Sequence, residues 1–487
     1  MKHSPLAGAT GRALAAGLVA AGLQGNALAS PEDDIAALRA SIAAMKADYD
    51  RRIDALEAQL RAAKSQAQAT APAAAPATAS PVVEATAPPP IAPTPPAPAA
   101  ADSGLVAAGA SAPSGGGNAF NPSVSLILSG SYVHSSQDPA TARITGFALP
   151  PDAGIGLGTR GFSLDESELA LAANIDPYLA GNLNLSIAGD DHVSAEEAWI
   201  ATTSLPHGLV LKAGRFFSGI GYLNSQHSHV WDFTDAPLAY QAMLGTQYAD
   251  DGVQLHWLAP TDQYLELGLE AGRGRTFPGD DGNRNAAGST AVTLHTGGDV
   301  GDSNTWRAGL SFLQASANGQ AWSGLDRSGN AVTELFDGRT RLWVADGVWK
   351  WAPGGNATRT YLKLQGEFLQ SRRDGNLSLA DAAPGAYRAI QAGGYLQAVW
   401  QFEPRWRVGL RTERLDPGSA DFGGNSDQLA NTGYHPTKNS LMFDFNESEF
   451  SRVRLQLAQD RSQQGLVNNQ VILQYQTSLG AHGAHAY

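Results

Sequence analysis

The sequence predicts an all-β transmembrane barrel of about 16 antiparallel strands, preceded by a short α-helical coiled coil and a disordered linker. Three observations favour this fold class. Short segments recur in which apolar and polar residues alternate, the pattern of a half-buried strand. The N-terminus resembles an export signal, but no later run approaches the ~18 apolar residues of a membrane-spanning helix. Aromatic residues collect near the ends of the alternating segments, where a bilayer meets water.

Residues 1–29 have the features of a Sec signal peptide. Lys2 and Arg12 give a charged start, and the apolar stretch that follows at 13–23 is too short to cross a bilayer. The small residues at 27–29, Ala-Leu-Ala, form a cleavage pattern. An uncleaved membrane anchor is the alternative interpretation.

Two segments separate this leader from the barrel. Residues 30–64 predict a periplasmic coiled-coil helix, since Ile35, Leu38 and Ile42 keep a spacing of three to four residues. So narrow a stripe needs a partner helix, and we expect a homotrimer; a helix lying on its own domain is the alternative. Residues 65–116 are rich in Ala and Pro and predict an extended or disordered linker.

Residues 117–487 predict the barrel itself and contain all 10 tryptophans of the chain. The final segment ends on Tyr487 and resembles the C-terminal signal of outer-membrane barrels. Two sheets stacked in water would give the same alternation, but closure is required in lipid, where an open sheet edge cannot be tolerated. The alternating stretches lie at 123–133, 168–175, 182–189, 208–217, 252–259, 263–272, 305–313, 340–351, 360–370, 394–402, 405–414, 453–459 and 470–480.

The stretch RWRVGLRTER at 405–414 shows how the two faces of a strand are assigned. Trp406 and Leu410 share one parity and are expected to face lipid, whereas the arginines take the other and face the lumen. The same reasoning gives a charged set of expected pore-lining residues. They are Lys212, Glu166, Glu168, Glu266, Glu270, Arg307, Lys363, Glu367, Arg405, Arg407, Arg411, Arg452 and Arg454.

The charges of this lining are unevenly distributed along the chain. Carboxylates dominate the first half and arginines the last quarter, so the middle carboxylates are expected across the lumen from an arginine wall. Because the first strands close against the last, Glu166 and Glu168 are expected to neighbour the arginines. The hypothesis is a transverse field with an arginine ladder that eases the passage of anions. Local pairing of these charges is the alternative.

Composition excludes several other classes of function. The chain has no cysteine, which removes thiol catalysis and Cys-based zinc sites, and its net charge of −13 argues against nucleic acid as a partner. No hydrolase or phosphate-binding motif occurs, so no enzyme and no cofactor are predicted. His227 and His229 form an H-x-H with Asp232 nearby, but two histidines without a clear third ligand favour a packing role, and no metal site is predicted.

Four stretches carry a resemblance to a known family. The barrel region resembles proteobacterial outer-membrane proteins of the phosphate-selective porin type, some labelled TonB-dependent or zinc-regulated receptors. The receptor label fits poorly, because a plug domain and 22 strands need more than the residues available. The stretches are NAFNPSVSLILSGSYV (118–133), RGFSLDESELALAANIDPYLAGNL (160–183), KAGRFFSGIGYLNSQHSHVWDFTDAPLAYQAMLG (212–245) and SLGAHGAHAY (478–487).

Together, the residues and the resemblance imply an outer-membrane channel of a Gram-negative bacterium, with its N-terminal arm in the periplasm. The expected function is passive diffusion of small hydrophilic solutes, with anions as candidate solutes. One alternative is a specific uptake receptor for a metal or its chelate. Another is an envelope-tethering protein whose coiled coil contacts the cell wall. The expected partners are the outer-membrane lipid and further copies of the chain.

Overall fold

A computed structural model describes residues 122–151, 153–379 and 384–480. The predicted signal peptide, coiled coil and linker lie outside the described residues, as does Tyr487. The described residues therefore all belong to the predicted barrel region.

The described chain consists mainly of strands, because its alternating segments can bury one face only against other strands. One short α-helix, α1 (Leu238–Leu244), interrupts them within the described ranges. The strands are β1 (Ser123–Ser135), β2 (Gly161–Leu164), β3 (Ser167–Asn174), β4 (Leu179–Ile187), β5 (Val193–Thr202), β6 (Leu209–Phe217), β7 (Ala249–Leu258), β8 (Tyr264–Gly272), β9 (Ser289–Val300), β10 (Asn304–Leu325), β11 (Ala331–Trp351), β12 (Tyr361–Leu379), β13 (Gly385–Glu403), β14 (Trp406–Asp416), β15 (Ala420–Asp421), β16 (Thr437–Ser448), β17 (Ser451–Arg461) and β18 (Asn468–Gly480). Single 3-10 turns lie at Pro139–Thr141, Pro206–Gly208, Ser228–Val230, Pro353–Gly355 and Gly423–Asn425.

All of these strands belong to one closed antiparallel sheet. β1 pairs with β18 from Ser125↔Gly480 to Ser135↔Gln470, which joins the first strand to the last and leaves no open edge. β2 and β3 pair with the same strand, β1, and act as one interrupted strand, while β15 only extends the pairing of β13. The wall therefore has 16 strands, and the predicted barrel is confirmed.

The thirteen predicted stretches all fall on strands, but three strands were missed. β5, β9 and β16 lie outside those stretches, and β10 to β13 extend well beyond them, with 22, 21, 19 and 19 residues. A crossing needs only about 9–11 residues, so these four strands project beyond a bilayer on one side. Projecting segments need not keep an apolar outer face, which explains why their alternation is weaker.

The two ends of the barrel differ in the length of their connections. One end, here called the turn end, carries short links such as 301–303, 404–405 and 449–450. The start of β1 and the end of β18 also lie there, since Ser125 pairs with Gly480. The other end, the loop end, carries the long connections 136–160, 218–248, 273–288 and 417–436.

The outer face of the barrel is apolar. Leu410 is 60% exposed and Leu396 is 59% exposed, although both lie in the middle of strands. Aromatic side chains lie near the turn end on this face, where Trp400 packs on Phe402 and Trp406 packs on Phe445 with ring centroids 4.7 Å apart. Such a surface is favourable against acyl chains and costly in water, so the barrel spans a membrane. Within the described residues, no helix has the length and apolarity to cross a bilayer.

The inside of the barrel contains an apolar core toward the loop end. Every residue of α1 is buried there, and Leu149 from the 136–160 connection bridges to Ser323 of β10. Trp322 stacks on Phe336 with centroids 4.6 Å apart. The projecting halves of β10 to β13 therefore enclose packed protein, and charged residues line the lumen closer to the turn end.

Candidate functional site

The connection between β6 and β7, residues 218–248, folds into the lumen and is here called the lumen loop. It starts at the wall, where Ser218 Oγ donates to Glu270 at 2.6 Å and the Gly219 amide donates to the same carboxylate at 2.8 Å. It returns to the wall beside its start, because Asn224 accepts a hydrogen bond from the Tyr248 amide at 2.7 Å. The segment between these points crosses the barrel.

Glu367 of β12 is a second anchor for the lumen loop. Its carboxylate accepts hydrogen bonds from the amides of Tyr222 and Leu223, each at 3.0 Å, and from the Tyr240 hydroxyl at 2.7 Å. Gly221 has φ +67°, and a Cβ at that position would collide with Glu367. Only glycine fits this approach without strain.

Asp235 of the lumen loop is held by cations of the opposite wall. Its carboxylate contacts Lys438 Nζ at 2.5 Å and Arg411 at 2.8 Å, and it accepts a hydrogen bond from Gln456 at 2.8 Å. Burial alone would raise the pKa of Asp235, but the two cations outweigh it and hold that pKa below the usual range. Asp235 therefore remains a carboxylate.

Asp232 of the lumen loop binds the same wall nearer the turn end. It contacts Lys363 Nζ at 2.6 Å and Arg407 at 3.5 Å. Burial opposes ionisation, but Lys363 and Arg407 together lower the pKa of Asp232. Arg407 also pairs with Asp444 of β16, which binds Arg454 at 2.8 Å.

The histidines of the lumen loop face a different, acidic part of the wall. Glu168 of β3 contacts His229 Nδ1 at 2.7 Å and His227 Nδ1 at 3.2 Å. His227 also lies 3.3 Å from Glu196 and 3.2 Å from Glu197, both on β5. Burial would lower the pKa of His227, but the Glu168 charge and the hydrogen bonds to all three carboxylates raise it well above its ordinary value.

The lumen loop thus carries acidic groups toward the basic wall and histidines toward the acidic wall. This arrangement corrects the expectation that the arginine ladder faces open water. Arg411 and Arg454 are 3% and 1% exposed, and each is paired with a carboxylate. Because a paired, buried arginine offers little field to a passing ion, the local-pairing alternative describes these residues.

The other predicted lining residues occupy varied positions. Arg405 lies in the exposed turn between β13 and β14, outside the strand, so it is not part of the inward row. Lys212 is buried with its ammonium 4.7 Å from the Trp199 ring centroid. Glu266 lies 3.2 Å from His256 of β7 and 3.8 Å from His295 of β9.

Glu166 and Arg452, two further residues of the predicted lining, lie beside the lumen loop. Glu166 lies in the break between β2 and β3 and accepts a hydrogen bond from Ser228 at 3.0 Å. Arg452 donates to the His229 carbonyl at 2.9 Å. The closure of β18 on β1 therefore brings the start of the chain close to the arginine strands, as expected.

Arg307 and Lys350 are two of several lumen cations that lack a carboxylate partner among the described residues. Arg307 of β10 lies over the Tyr222 ring at 5.2 Å, and Lys350 of β11 lies over the Tyr361 ring at 5.0 Å. Neither forms an ion pair with any residue in the described part of the chain. Both are half-buried near the turn end; Lys350 lies opposite Lys363 of β12, and Arg307 lies on the next strand of the sheet, β10.

Several residues of the charge network were not found from the sequence. Asp444 and Lys438 share the inward parity of β16, a strand that was missed, and Glu413 follows Arg411 on β14 by two positions. Strand parity alone would have been sufficient to predict that these three residues face the lumen. Asp235 gave no such signal, because a loop residue has no periodicity and its partners lie far away in the chain.

A closed barrel with a charged loop folded across its lumen defines the class: a transmembrane β-barrel whose interior holds a folded loop. The chain belongs to the same family as an uncharacterized protein of Aquifex aeolicus (strain VF5), which is 31% identical over 396 residues, 76% of this chain and 80% of that protein. No family model matches the sequence.

Solved structures of similar architecture are outer-membrane proteins. The trimer form of OmpT from Vibrio cholerae is 9% identical with a TM-score of 0.46, covering 74% of this chain and 99% of that one. An anion-selective porin from Comamonas acidovorans is 12% identical with a TM-score of 0.44, covering 74% and 99%. The channel DcaP of Acinetobacter baumannii is 10% identical with a TM-score of 0.42, covering 74% and 96%.

Proposed function

We propose that this protein is an outer-membrane channel for passive diffusion of small hydrophilic solutes. The observation that carries the proposal is the closed 16-stranded wall, apolar outside and charged inside. A barrel with this number of strands is wide enough to leave an aqueous path beside side chains and a folded loop. The lumen loop then sets the size limit, because it is anchored on both the acidic and the basic wall.

We further propose that the channel favours anions, with Arg307 and Lys350 as the groups responsible. The predicted arginine ladder is compensated by Asp232, Asp235 and Asp444, so its contribution to the field is small. Arg307 and Lys350 form no ion pair within the described residues, and fixed charge at a narrow point decides selectivity more than net charge does. Lys363 is excluded because Asp232 binds it.

Conductance in planar bilayers tests both proposals. Purified full-length protein is expected to give discrete channels, and a tenfold salt gradient is expected to give a reversal potential of the sign for anions. R307Q combined with K350Q is expected to move that potential toward zero. R405Q, which removes a charge from an exposed turn, is the matched control and is expected to change nothing.

Two outcomes would contradict these proposals separately. Protein that inserts but gives no conductance would refute the channel. Channels whose selectivity is the same in the wild type and in the R307Q/K350Q variant would refute the assignment of the two cations while leaving the channel intact.

We propose that the turn end faces the periplasm. In bacterial barrels the short turns lie on the periplasmic side and the long loops outside. Because β1 begins at the turn end, this orientation would place the N-terminal arm in the periplasm. The homotrimer and a contact between the arm and the cell wall remain predictions, since residues 30–64 lie outside the described ones.

A further inference from the structure

We propose that Glu168, His227 and His229 form a binding site for a divalent first-row transition-metal ion, which ties the lumen loop to the wall. One ligand atom from each residue lies within 4.8 Å of the others. Two imidazoles and one carboxylate are a ligand set that zinc and its neighbours in the series prefer. This inference does not depend on whether the barrel conducts.

The geometry of the three side chains is convergent. Glu168 directs Oε1 at His229 Nδ1, 2.7 Å away, and Oε2 at His227 Nδ1, 3.2 Å away. The two imidazole rings are nearly parallel, with centroids 5.6 Å apart and an interplanar angle of 24°. Tetrahedral ligands at zinc bond lengths are about 3.3 Å apart. The 2.7 Å pair therefore has to open by roughly 0.6 Å, which a side-chain rotation can supply.

A second set of residues orients these ligands. With Nδ1 of His227 toward Glu168, its Nε2 lies 3.2 Å from Glu197 and 3.0 Å from the Asn184 amide. A carboxylate behind a histidine fixes the ring and its tautomer, an arrangement that is usual around metal-bound histidine. On the other side, Ser228 Oγ donates to Glu166 at 3.0 Å.

Carboxylates are concentrated around this site. Glu166, Glu168 and Glu196 also form a group whose ligand atoms lie within 4.8 Å, and Glu197 adjoins it. Among the described residues, the neighbouring cations Lys212 and Arg452 form no ion pair with any of the four. A divalent ion would balance charges that are costly to bury uncompensated.

Metal binding would also have a mechanical consequence. Glu168 belongs to β3, whereas both histidines belong to the lumen loop, and His229 is additionally held by Arg452 of β17 through its carbonyl. A bound ion would cross-link the loop to the acidic wall as firmly as Asp235 ties it to the basic wall. The loop would then be fixed at both sides of the lumen.

Isothermal titration of chelator-treated, folded full-length protein with Zn²⁺ tests the site. The wild type is expected to bind Zn²⁺ more tightly than Mg²⁺, because imidazole ligands disfavour the harder ion. E168Q is expected to weaken the binding at this site by at least about 10-fold. E266Q is the matched control, since Glu266 is also a buried lumen carboxylate beside two histidines, and it is expected to bind as the wild type does.

The mobility of unboiled protein on gels shows whether E168Q folds. If it does not fold, a second variant tests the same site. H227N combined with H229N is expected to lose the same binding event and the visible absorption of Co²⁺ bound in its place. The proposal is overturned if E168Q or the double variant keeps wild-type affinity, or if Mg²⁺ binds as tightly as Zn²⁺. It is also overturned if the wild type binds no Zn²⁺.

Discussion

At the scale of single residues, the lumen is governed by how charges are paired. Asp235 lies among Lys438, Arg411 and Gln456 and is 8% exposed. Removing one partner from such a group leaves the other charges buried without compensation, which costs more than the pair itself contributes. Each loop carboxylate is therefore a stabilising tether whose loss should be measurable.

We predict that D235N lowers the free energy of unfolding by about 3–5 kcal/mol at pH 7. The folded-state pKa of Asp235 is below its unfolded value, so its contribution is fully present above an unfolded pKa of about 3.9 and is lost as pH falls through the folded pKa. The difference between wild type and variant should therefore stay constant from pH 7 to about pH 5 and shrink well below pH 4. Denaturant unfolding in detergent at several pH values measures it, and a difference that grows on acidification would contradict the assignment.

At the scale of the element, the lumen loop decides what the barrel interior contains. Its two ends are already joined, since Asn224 bonds to both the amide and the carbonyl of Tyr248, the latter at 2.9 Å. The segment between them can therefore be removed without parting β6 from β7. Its removal would expose to solvent the wall cations that now pair with Asp232 and Asp235.

We predict that replacing residues 226–245 by two glycines raises the single-channel conductance and increases anion selectivity. The first effect follows from the lost volume, and the second from Lys363, Arg411 and Lys438 losing their loop partners. Bilayer recordings measure both quantities. If the conductance rose but the selectivity shifted toward cations, the loop would not be masking the charge of the basic wall, and this prediction would be wrong.

At the scale of the whole molecule, the outward face determines where the protein resides. Leu396 and Ile390 of β13 both point outward, 59% and 46% exposed. Leu396 lies closer to the aromatic residues Trp400 and Phe402 of the turn end, whereas Ile390 lies in the projecting half of the strand. The two positions therefore differ in membrane depth but not in face or strand.

We predict that L396R destabilises the barrel in lipid vesicles by about 2–4 kcal/mol, while I390R costs only about 0–1 kcal/mol. A charge near the bilayer midplane loses its hydration, and a charge above the interface keeps it. Unfolding of both variants from phosphatidylcholine vesicles measures the difference. Equal costs at the two positions would contradict a lipid-facing surface at Leu396.

The sequence predicted the barrel well because alternation is a local signal. Trp406 and Leu410 were placed outward and Arg407 and Arg411 inward from parity alone, and the structure places them so. The failures have equally local causes. Arg405 followed the parity of β14 but lies in the turn before it, and β5 was missed because Glu196 and Glu197 break its alternation.

The candidate site could be predicted only in part. Glu168 was expected to line the lumen, and His227 with His229 was noted as a weak metal motif lacking a third ligand. The third ligand is Glu168, about 60 residues away in the chain, as the contact between positions 168 and 229 shows. No spacing rule links a strand residue to a loop that folds back across the barrel.

The sequence by itself determined the strands, their two faces and hence a closed wall in lipid, because backbone hydrogen bonding and the period of two act between neighbours. The tertiary structure alone decided that residues 218–248 turn inward and that their carboxylates neutralise the arginines. Those pairings join residues 175 and 176 positions apart, Asp232 with Arg407 and Asp235 with Arg411. Their energy depends on burial and distance, which exist only once the barrel has closed around the loop.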